Sequence, residues 1–310
     1  MAPHARDSTV ASTFSIVAAD PATGEVGVAV QSKYLAVGAV VPWARAGVGA
    51  VATQALGLAR YGPDLLARLE TGAHPRDALP SALADDPLAS QRQIGVVRAD
   101  GQASTHTGDA CLEWAGGRTG SGYAAQGNIL AGPEVVDEMV RAFTVALGTL
   151  AERLVVALEA GQAAGGDRRG QQSAAVLVEQ AGYRDLGSEG IDKIFDIRVD
   201  DHPQPIVELR RVLGLRLRQE VSGRAMRLYN LRDFVRAAEM MGEGAARYPG
   251  SPDMLYNLAC FESLAGRAGD SLTHLRQAVA LDASYRELAA RDTDFDPLRA
   301  STEFLAVLSP

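Results

Sequence analysis

The sequence predicts an α+β protein in two parts: a domain of two antiparallel sheets with helices packed outside them, then a small all-α domain. Three observations support this prediction. Short apolar runs rich in Gly, Ala and Val, broken by turns, occupy the chain up to about residue 205. They indicate strands, then helices, then strands again, without the strict βαβ alternation of a parallel sheet. Long helical patterns occupy the rest of the chain,.

The first two strands form a predicted hairpin. The run TFSIVAA at 13–19 is typical of a strand, and VGVAVQS at 26–32 is typical of the returning strand. The intervening DPATGE favours a turn, because Pro presets one backbone dihedral and Gly permits a positive φ. Such a short connection predicts antiparallel pairing.

The remaining elements of the first domain follow from similar patterns and breaks. Asp100-Gly101 marks a tight turn between two strands, and Gly161 with Gly165-Gly166 ends the last helix. The run QSAAVLV predicts a strand buried on both faces. The predicted elements are strands at 48–54, 93–98 and 103–107, helices at 63–70, 75–84, 133–147 and 150–161, and strands at 172–178 and 195–199.

The second part begins after HPQP at 202–205, a stiff extended linker because residues before Pro avoid the helical region,. Segments 231–249 and 266–283 resemble each other at a period of about 34 residues, the tetratricopeptide length,. Small residues fall where paired helices approach: Ala237 and Ser271, Gly244 and Ala278. About three repeats are needed to stand alone, so we expect this tail to pack on the first domain or on a protein partner.

The predicted organisation is therefore a flexible extension at 1–12, a first domain at 13–205 and a tetratricopeptide-like domain at 206–310. The extension lacks the basic stretch and apolar core of a secretory signal, so we expect a cytoplasmic protein. No apolar run approaches the roughly 18–20 residues of a membrane span. The 30 basic residues against 38 acidic ones, a net charge of -8, argue against a nucleic-acid partner,.

Thr13, at the start of the first strand, is the first candidate for chemistry. A hydroxyl is a weak nucleophile unless a base removes its proton. Once a residue becomes the N-terminus of the chain, its own α-amine, with a pKa of about 8, can be that base. Most threonines on strands are structural, so the residue type alone favours the structural interpretation.

Two other segments carry polar groups that suit a binding site. In GGDRRGQQSAA at 165–175, glycines permit close backbone approach, and Asp167 with Arg168 can pair or grip an anion,. The alternative is an architectural Asp–Arg pair in a hydrogen-bonded loop. In GSGYAAQGNIL at 120–130, Gln126 and Asn128 offer amides to an oxyanion or can fix a turn,. This segment matches neither a Walker loop nor a dinucleotide fingerprint.

The histidine and cysteine residues are weaker candidates for catalysis or metal binding. His106 lies at the end of a predicted strand, but a lone His is more often structural than a ligand or base. The five histidines are too scattered for a metal site, and Cys111 and Cys260 lie too far apart for a disulfide scaffold or a zinc cluster,. We therefore expect neither a metal nor another cofactor.

Many short motifs resemble the DUF1028 family. They include TFSIVA at 13–18, GVAVQSK at 27–33, VGAVVPWA at 37–44, GVGAVATQ at 47–54, RQ at 92–93, HTG at 106–108, QGN at 126–128, the 165–175 loop and DIRVDDHP at 196–203. The resemblance spans about 13–213. It implies a fold like that of the N-terminal-nucleophile hydrolases, a four-layer αββα sandwich whose nucleophile opens a central strand.

The resemblance also implies a reaction class. Relatives typically begin Met-Thr-Phe-Ser, whereas here twelve residues precede Thr13. Its α-amine therefore exists only if they are cleaved off or if translation starts later. The expected activity is hydrolysis of a small amide or peptide-like substrate by Thr13. Lys33 or Arg45 would lower the pKa of the amine. Asn128, or backbone amides near Thr53 and Gln54, would stabilise the oxyanion.

The other expected contacts are with the substrate and with partners. Substrate-binding residues are expected among Thr53, Gln54, His106, Asp167, Arg168 and Gln172. We expect a homo-oligomer, with a possible protein partner at the helical tail. The alternative is a non-catalytic protein that uses the sandwich as a scaffold to bind a ligand or partner.

Overall fold

The computed structural model describes residues 13–183 and 191–309. It divides the chain into two compact units, and the division falls between Leu213 and Gly214. The first unit is mixed α and β with two antiparallel sheets, and the second is helical.

The larger sheet of the first unit has six strands in the order β10-β9-β2-β1-β8-β7, every neighbouring pair antiparallel. Strand β1 is therefore interior, with β2 on one side and β8 on the other. The turn between β1 and β2 contains Gly24 at φ 78°, as the sequence predicts. The strands are β1 Thr13–Asp20, β2 Glu25–Ser32, β7 Gly116–Gly120, β8 Tyr123–Asn128, β9 Ser173–Gln180 and β10 Lys193–Val199.

The smaller sheet has four strands in the order β3-β4-β5-β6, again antiparallel. The two sheets face each other across an apolar core that includes Val17 and Val28 from the larger sheet and Ala52 and Val97 from the smaller. The strands are β3 Pro42–Arg45, β4 Gly49–Ala55, β5 Arg92–Arg98 and β6 Ala103–Thr107.

Four helices cover the outer faces. Helices α1 Tyr61–Glu70 and α2 Pro75–Leu83 contact the smaller sheet, whereas α3 Glu134–Val145 and α4 Leu150–Ala163 contact the larger one. A capping box fixes the start of α4: the Thr149 hydroxyl accepts from the Glu152 backbone, and the Glu152 side chain accepts from the Thr149 backbone,. Residues that alternate along each central strand thus face either the opposite sheet or a helix.

The predicted strands and helices of the first unit are confirmed to within about two residues at each end, but β3, β7 and β8 were not predicted. The segment at 120–130, interpreted as a glycine-rich loop, contains all of β8 and the β7–β8 turn at Gly122, whose φ is 82°. Gly, Ala and Gln dominate β8, so it lacks the β-branched residues that signal a strand.

The helical part begins with α5 Pro205–Asn230, a single helix that includes the division between the units. The predicted linker thus ends in the first residue of this helix. The other helices are α6 Phe234–Arg247, α7 Pro252–Leu264, α8 Ala268–Leu281, α9 Ser284–Arg291 and α10 Thr302–Leu308. Among the described helices, none combines the length and the apolar character needed to cross a bilayer.

The second unit has its own apolar core, in which Met241, Met254, Phe261 and Phe295 are almost fully buried. Helices α6 and α8 begin 34 residues apart, at Phe234 and Ala268. Gly244 allows α6 to lie against its neighbours, because a Cβ there would lie 2.5 Å from Val221 Cγ1.

Candidate active site

Thr13 lies at the beginning of β1, between the ends of two neighbouring strands. Its cross-strand partners are Ser32 in β2 and Asn128 in β8. Because Val17 on the same strand packs in the core between the sheets, the side chain of Thr13 points between the sheets as well,. Thr13 is fully buried, and its Oγ1 lies 3.0 Å from Ser32 Oγ.

Three buried amide side chains surround this position. Gln54 Nε2 donates to the carbonyl oxygen of Thr13 at 3.3 Å and to Gln93 Oε1 at 2.9 Å. Asn128 Nδ2 donates to the same Gln93 oxygen at 2.9 Å. The Gln93 amide nitrogen donates in turn to the carbonyl oxygen of Gly127 at 2.7 Å. Gln93 therefore joins both sheets at the end where Thr13 lies.

A second set of hydrogen bonds continues this network along β1. The Ser15 hydroxyl donates to Gln54 Oε1 at 2.6 Å, and Gln126 Nε2 donates to Ser15 Oγ at 2.7 Å. The Gln126 side chain lies over Gly95 in β5, where a Cβ would come within 2.2 Å of Gln126 Oε1. The network is polar, buried and internally hydrogen-bonded, as a stable core requires of such groups.

The predicted loop at 165–175 closes the end of the larger sheet. Asp167 is buried, and its carboxylate accepts from the backbone N–H of Lys33 at 3.1 Å and of Arg169 at 2.8 Å. The backbone N–H of Arg168 donates to the Ile129 carbonyl oxygen at 3.0 Å. The loop thus ties the end of β2 to the end of β8, directly beside the two strands that flank Thr13.

Two basic side chains at this loop, those of Lys33 and Arg168, are exposed. Lys33 extends along the loop, and its Nζ donates to the Gln171 carbonyl oxygen at 3.2 Å. The side chain of Arg168 faces solvent. The structure therefore brings Thr13, Asn128 and Gln54 together in the interior. Lys33 at the end of β2, and Asp167 and Arg168 in the 165–175 loop, lie at the same end of the larger sheet.

Other predicted site residues are not brought into this cluster. His106 pairs with Ile94, which packs under α1 and α2, so the imidazole lies on the opposite face of the smaller sheet, with Nε2 3.1 Å from the Ala89 carbonyl oxygen. Gln172 directs its amide to Asp201 Oδ1 at 3.2 Å. Arg45, at the far end of β3, pairs with Glu70 at 2.6 Å.

Thr53 also has a different place from its neighbour Gln54, because consecutive strand residues face opposite sides. Its hydroxyl donates to the Leu58 carbonyl oxygen at 3.4 Å, and its backbone N–H donates to the Val41 carbonyl oxygen at 3.2 Å. That N–H, one of the predicted oxyanion donors, is therefore engaged within the protein.

A cavity of about 180 Å³ opens beside Gln54 and Thr53. We call it the β4-end cavity. Its wall at 55–59 is fixed by a buried ion pair, in which Arg92 Nε donates to Asp86 Oδ2 at 2.8 Å. Arg92 also donates to the Leu56 carbonyl oxygen. The residues lining the cavity are Tyr34, Val37, Val40, Val41, Thr53, Gln54, Ala55, Gly57, Leu58 and Ala59.

Two side chains behind this wall, Asp86 and Tyr61, have pKa values that lie far from their usual range. The hydrogen bond from Arg92, followed by that from Tyr61, holds the pKa of the Asp86 carboxyl far below its usual range. Burial, with the 2.6 Å bond to Asp86, raises the pKa of Tyr61 to about 12. Asp86 is thus an ionised structural anchor at neutral pH, whose role is to hold the wall rather than to move protons.

Within the described residues, one group of side chains has the spacing of metal ligands: Cys260, Asp292 and Asp294, whose ligand atoms lie within 4.8 Å of one another. Tyr256 donates to Asp292 at 2.7 Å, and Tyr229 donates to Asp294 at 2.9 Å. Burial raises the pKa of the Cys260 thiol, which disfavours the thiolate that a metal needs,. Hydrogen bonding within the helical unit accounts for this group.

The chain resembles known proteins over its first unit. The model of DUF1028, a family of unknown function, matches residues 13–209. The crystal structure of a DUF1028 protein from Silicibacter pomeroyi is similar, with a TM-score of 0.59 and 31% sequence identity over 65% of this chain and 88% of that chain. No curated protein matches the sequence. The matched residues begin at Thr13 and include the whole cluster around it.

Proposed function

We propose that this chain, which belongs to the DUF1028 family of unknown function, is an amidohydrolase of the N-terminal-nucleophile type. Its nucleophile would be Thr13, exposed as an N-terminus by cleavage of the Ser12–Thr13 peptide bond. The substrate would be a small amide or a peptide-like molecule.

The position of Thr13 is the observation that carries this proposal. It opens an interior strand of the larger sheet, beside Asn128 on one side and Ser32 on the other. Its carbonyl oxygen accepts a hydrogen bond from Gln54, so the backbone at the nucleophile is held in place. A nucleophile positioned by a rigid sheet gains rate from orientation.

The arrangement of layers supports the same class. Helices α3 and α4 contact one sheet, α1 and α2 contact the other, and the two sheets face each other. We propose that this is the four-layer αββα sandwich of N-terminal-nucleophile hydrolases. In such a fold the reaction would take place at the end of the larger sheet where β1 begins.

The proposed reaction needs no group beyond those of the chain, the substrate and water. The freed α-amine of Thr13 takes the proton from Oγ1, which attacks the substrate carbonyl carbon and forms a tetrahedral oxyanion. The ammonium then returns the proton to the leaving nitrogen as the C–N bond breaks, leaving an ester on Oγ1. Water, deprotonated by the same amine, attacks the ester carbon. The ammonium returns this proton to Oγ1 as the C–Oγ1 bond breaks, which releases the acid and restores the free hydroxyl and amine.

Asn128 is the proposed oxyanion donor. It lies opposite Thr13 in β8, and its Nδ2 is oriented by the 2.9 Å hydrogen bond to Gln93. A pre-oriented donor stabilises developing charge without reorganising during the reaction. Gln93, which the sequence did not single out as a site residue, is therefore a proposed positioning residue.

Lys33, Asp167 and Arg168 have electrostatic and orienting roles in this proposal. The Lys33 ammonium would lower the pKa of the nearby α-amine by charge repulsion and keep part of it unprotonated at neutral pH. Asp167, held by two backbone amides, would keep the loop in place, and the exposed Arg168 would contact the substrate,.

For the second unit we propose a pair of degenerate tetratricopeptide-like repeats that bind a protein partner. The 34-residue offset between the starts of α6 and α8 supports it. The small residues Ala237, Ser271 and Ala278, all fully buried, also support it, since they allow helices to approach closely.

A non-catalytic ligand-binding protein is the second candidate. One observation favours it: Thr13 Oγ1 lies 3.0 Å from the hydroxyl of Ser32, a group that cannot act as a base. Unless the Ser12–Thr13 bond is cleaved or translation starts later, no α-amine exists at Thr13, and the cluster would then act as a scaffold.

The intact mass of the purified protein, with N-terminal sequencing, tests the proposal. The expected product begins at Thr13, reacts with a hydroxyl-directed β-lactone and loses this labelling in Thr13→Ala. Thr144→Ala, a change at an exposed threonine of α3, is the matched control and should label normally. A chain that keeps Ser12, or labelling that persists in Thr13→Ala, would sink the mechanism.

A further inference from the structure

We propose that the β4-end cavity binds an uncharged apolar substituent of the substrate, about the size of one aromatic ring. This inference rests on the proposed amidohydrolase function, since it assigns the group that accompanies the amide. It adds a substrate class to a site that the reaction chemistry leaves undefined.

The location of the cavity supports this assignment. Gln54 lines the cavity and also donates through Nε2 to the Thr13 carbonyl oxygen at 3.3 Å. Gln54 therefore contacts both the cavity and the main chain of the proposed nucleophile. This shared contact places the cavity on the side from which a substrate carbonyl would be presented to Thr13.

The lining excludes charge. Val37, Val41, Ala55 and Leu58 supply apolar surface, and among the described lining residues none is an Asp, Glu, Lys, Arg or His. The Thr53 hydroxyl is already engaged, because its Oγ1 donates to the Leu58 carbonyl oxygen. A charged group placed here would lose hydration without gaining a partner, which is costly.

Gln54 does not change this conclusion, because both ends of its amide are already hydrogen-bonded. Its Oε1 accepts from Ser15 at 2.6 Å, and its Nε2 donates to Gln93 at 2.9 Å. A ligand that demanded a hydrogen bond from this amide would have to break the buried network. The cavity therefore favours shape and apolar contact over polar recognition.

The volume of the cavity and its fixed wall determine which substituent of the substrate fits. At about 180 Å³, it slightly exceeds the roughly 150 Å³ of a cavity that holds a benzene molecule. Its wall includes Ala55, held at φ 65°, and Leu56, whose carbonyl accepts from Arg92. Tyr34 and Val40 remain 42% and 39% exposed at the rim, so apolar surface also leads into the opening.

Binding can be measured without catalysis, with the indole N–H signal of Trp43 as the reporter. Trp43 Nε1 donates to the carbonyl oxygen of Val40, a lining residue, at 3.1 Å. The chain has two tryptophans, so a Trp114→Phe variant assigns the signal. The probes are N-acetyl-leucinamide, N-acetyl-phenylalaninamide and N-acetyl-lysinamide, titrated by NMR. The neutral amides should bind about ten- to hundredfold more tightly than the lysine amide.

Gly57→Leu should fill the cavity, because a Cβ at Gly57 would lie in ordinary contact, 3.6 Å from the Thr53 carbonyl oxygen. We expect it to weaken binding of the neutral amides at least about tenfold. Gly269→Leu, in open space on α8, is the matched control and should leave binding unchanged. Should Gly57→Leu fail to fold, Val40→Asp at the exposed rim should reverse the preference toward the lysine amide.

Equal affinity for the charged and neutral probes, or unchanged affinity in Gly57→Leu or Val40→Asp, would overturn the assignment. These outcomes are separable from the fate of the hydrolase proposal. Tight binding without Thr13-dependent turnover would leave the cavity assigned and remove the activity. Turnover of charged amides without neutral binding would do the reverse.

Discussion

Gln93→Leu should destabilise the first unit strongly, although the two side chains have similar volume. The substitution removes the oxygen that accepts from Gln54 and from Asn128, both at 2.9 Å. It also removes the nitrogen that donates to Thr107 Oγ1 at 3.0 Å and to the Gly127 carbonyl oxygen at 2.7 Å. Each buried polar group left without its partner costs about 1–3 kcal/mol.

The expected total is smaller than four such costs. Gln54 Nε2 keeps its longer contact with the Thr13 carbonyl oxygen at 3.3 Å, and the Thr107 hydroxyl can rotate to another acceptor. We therefore expect a loss of about 2–5 kcal/mol in the free energy of unfolding, mainly from Asn128 and Gly127. Against a typical total of about 5–15 kcal/mol, this loss is readily measured.

Urea unfolding followed by tryptophan fluorescence measures this loss directly. Trp43 and Trp114 both lie in the first unit, so the signal reports on that unit. Gln204→Leu, at an exposed glutamine, is the control and should change the free energy of unfolding by less than about 0.5 kcal/mol. A loss below about 1 kcal/mol in Gln93→Leu would refute the view that Gln93 joins the two sheets.

Two further predictions concern the same unit. Gly95→Ala should lower the free energy of unfolding by about 1–3 kcal/mol, because its Cβ would come within 2.2 Å of Gln126 Oε1 and displace that amide,. Urea unfolding measures the loss, and a neutral result would contradict the close approach. Asp86→Asn should flatten the acid side of the stability profile. The native pKa of Asp86 is depressed, so its stabilisation is present above the unfolded value of about 3.9 and is lost as pH falls below it. Equal slopes below about pH 4 in the parent and the variant would contradict this role.

The local signals in the sequence were sufficient for most of the first unit. The β1–β2 hairpin followed from two apolar runs and a Pro–Gly turn, and the end of α4 followed, to within two residues, from the glycines in that region. The β7–β8 hairpin did not, because Gly120, Gly122 and Gly127 resemble a flexible loop when their partners are unknown. Strand β8 forms because β1 pairs along its whole length, which is a tertiary effect,.

The candidate site was only partly predictable for the same reason. Thr13, Asn128 and Asp167 belong to segments with recognisable chemistry, and the structure brings them to one edge of the larger sheet. Gln93 belongs to the RQ motif at 92–93, but that motif gave it no role, since its importance comes from contacts 14 to 39 residues away in sequence. His106 lies in ASTHT, a strand without apolar alternation, so its face could not be predicted.

Helix α5 has a consequence for dissecting the chain into fragments. Leu209 and Leu213 are fully buried in the part of the helix that belongs to the first unit, and Arg210 pairs with Glu159 of α4 at 2.6 Å. A truncation at the Pro-rich segment before the helix would strip these side chains from the fragment and leave an apolar surface behind. A fragment that contains the first unit should therefore extend at least to residue 213, inside helix α5, where the division between the units falls.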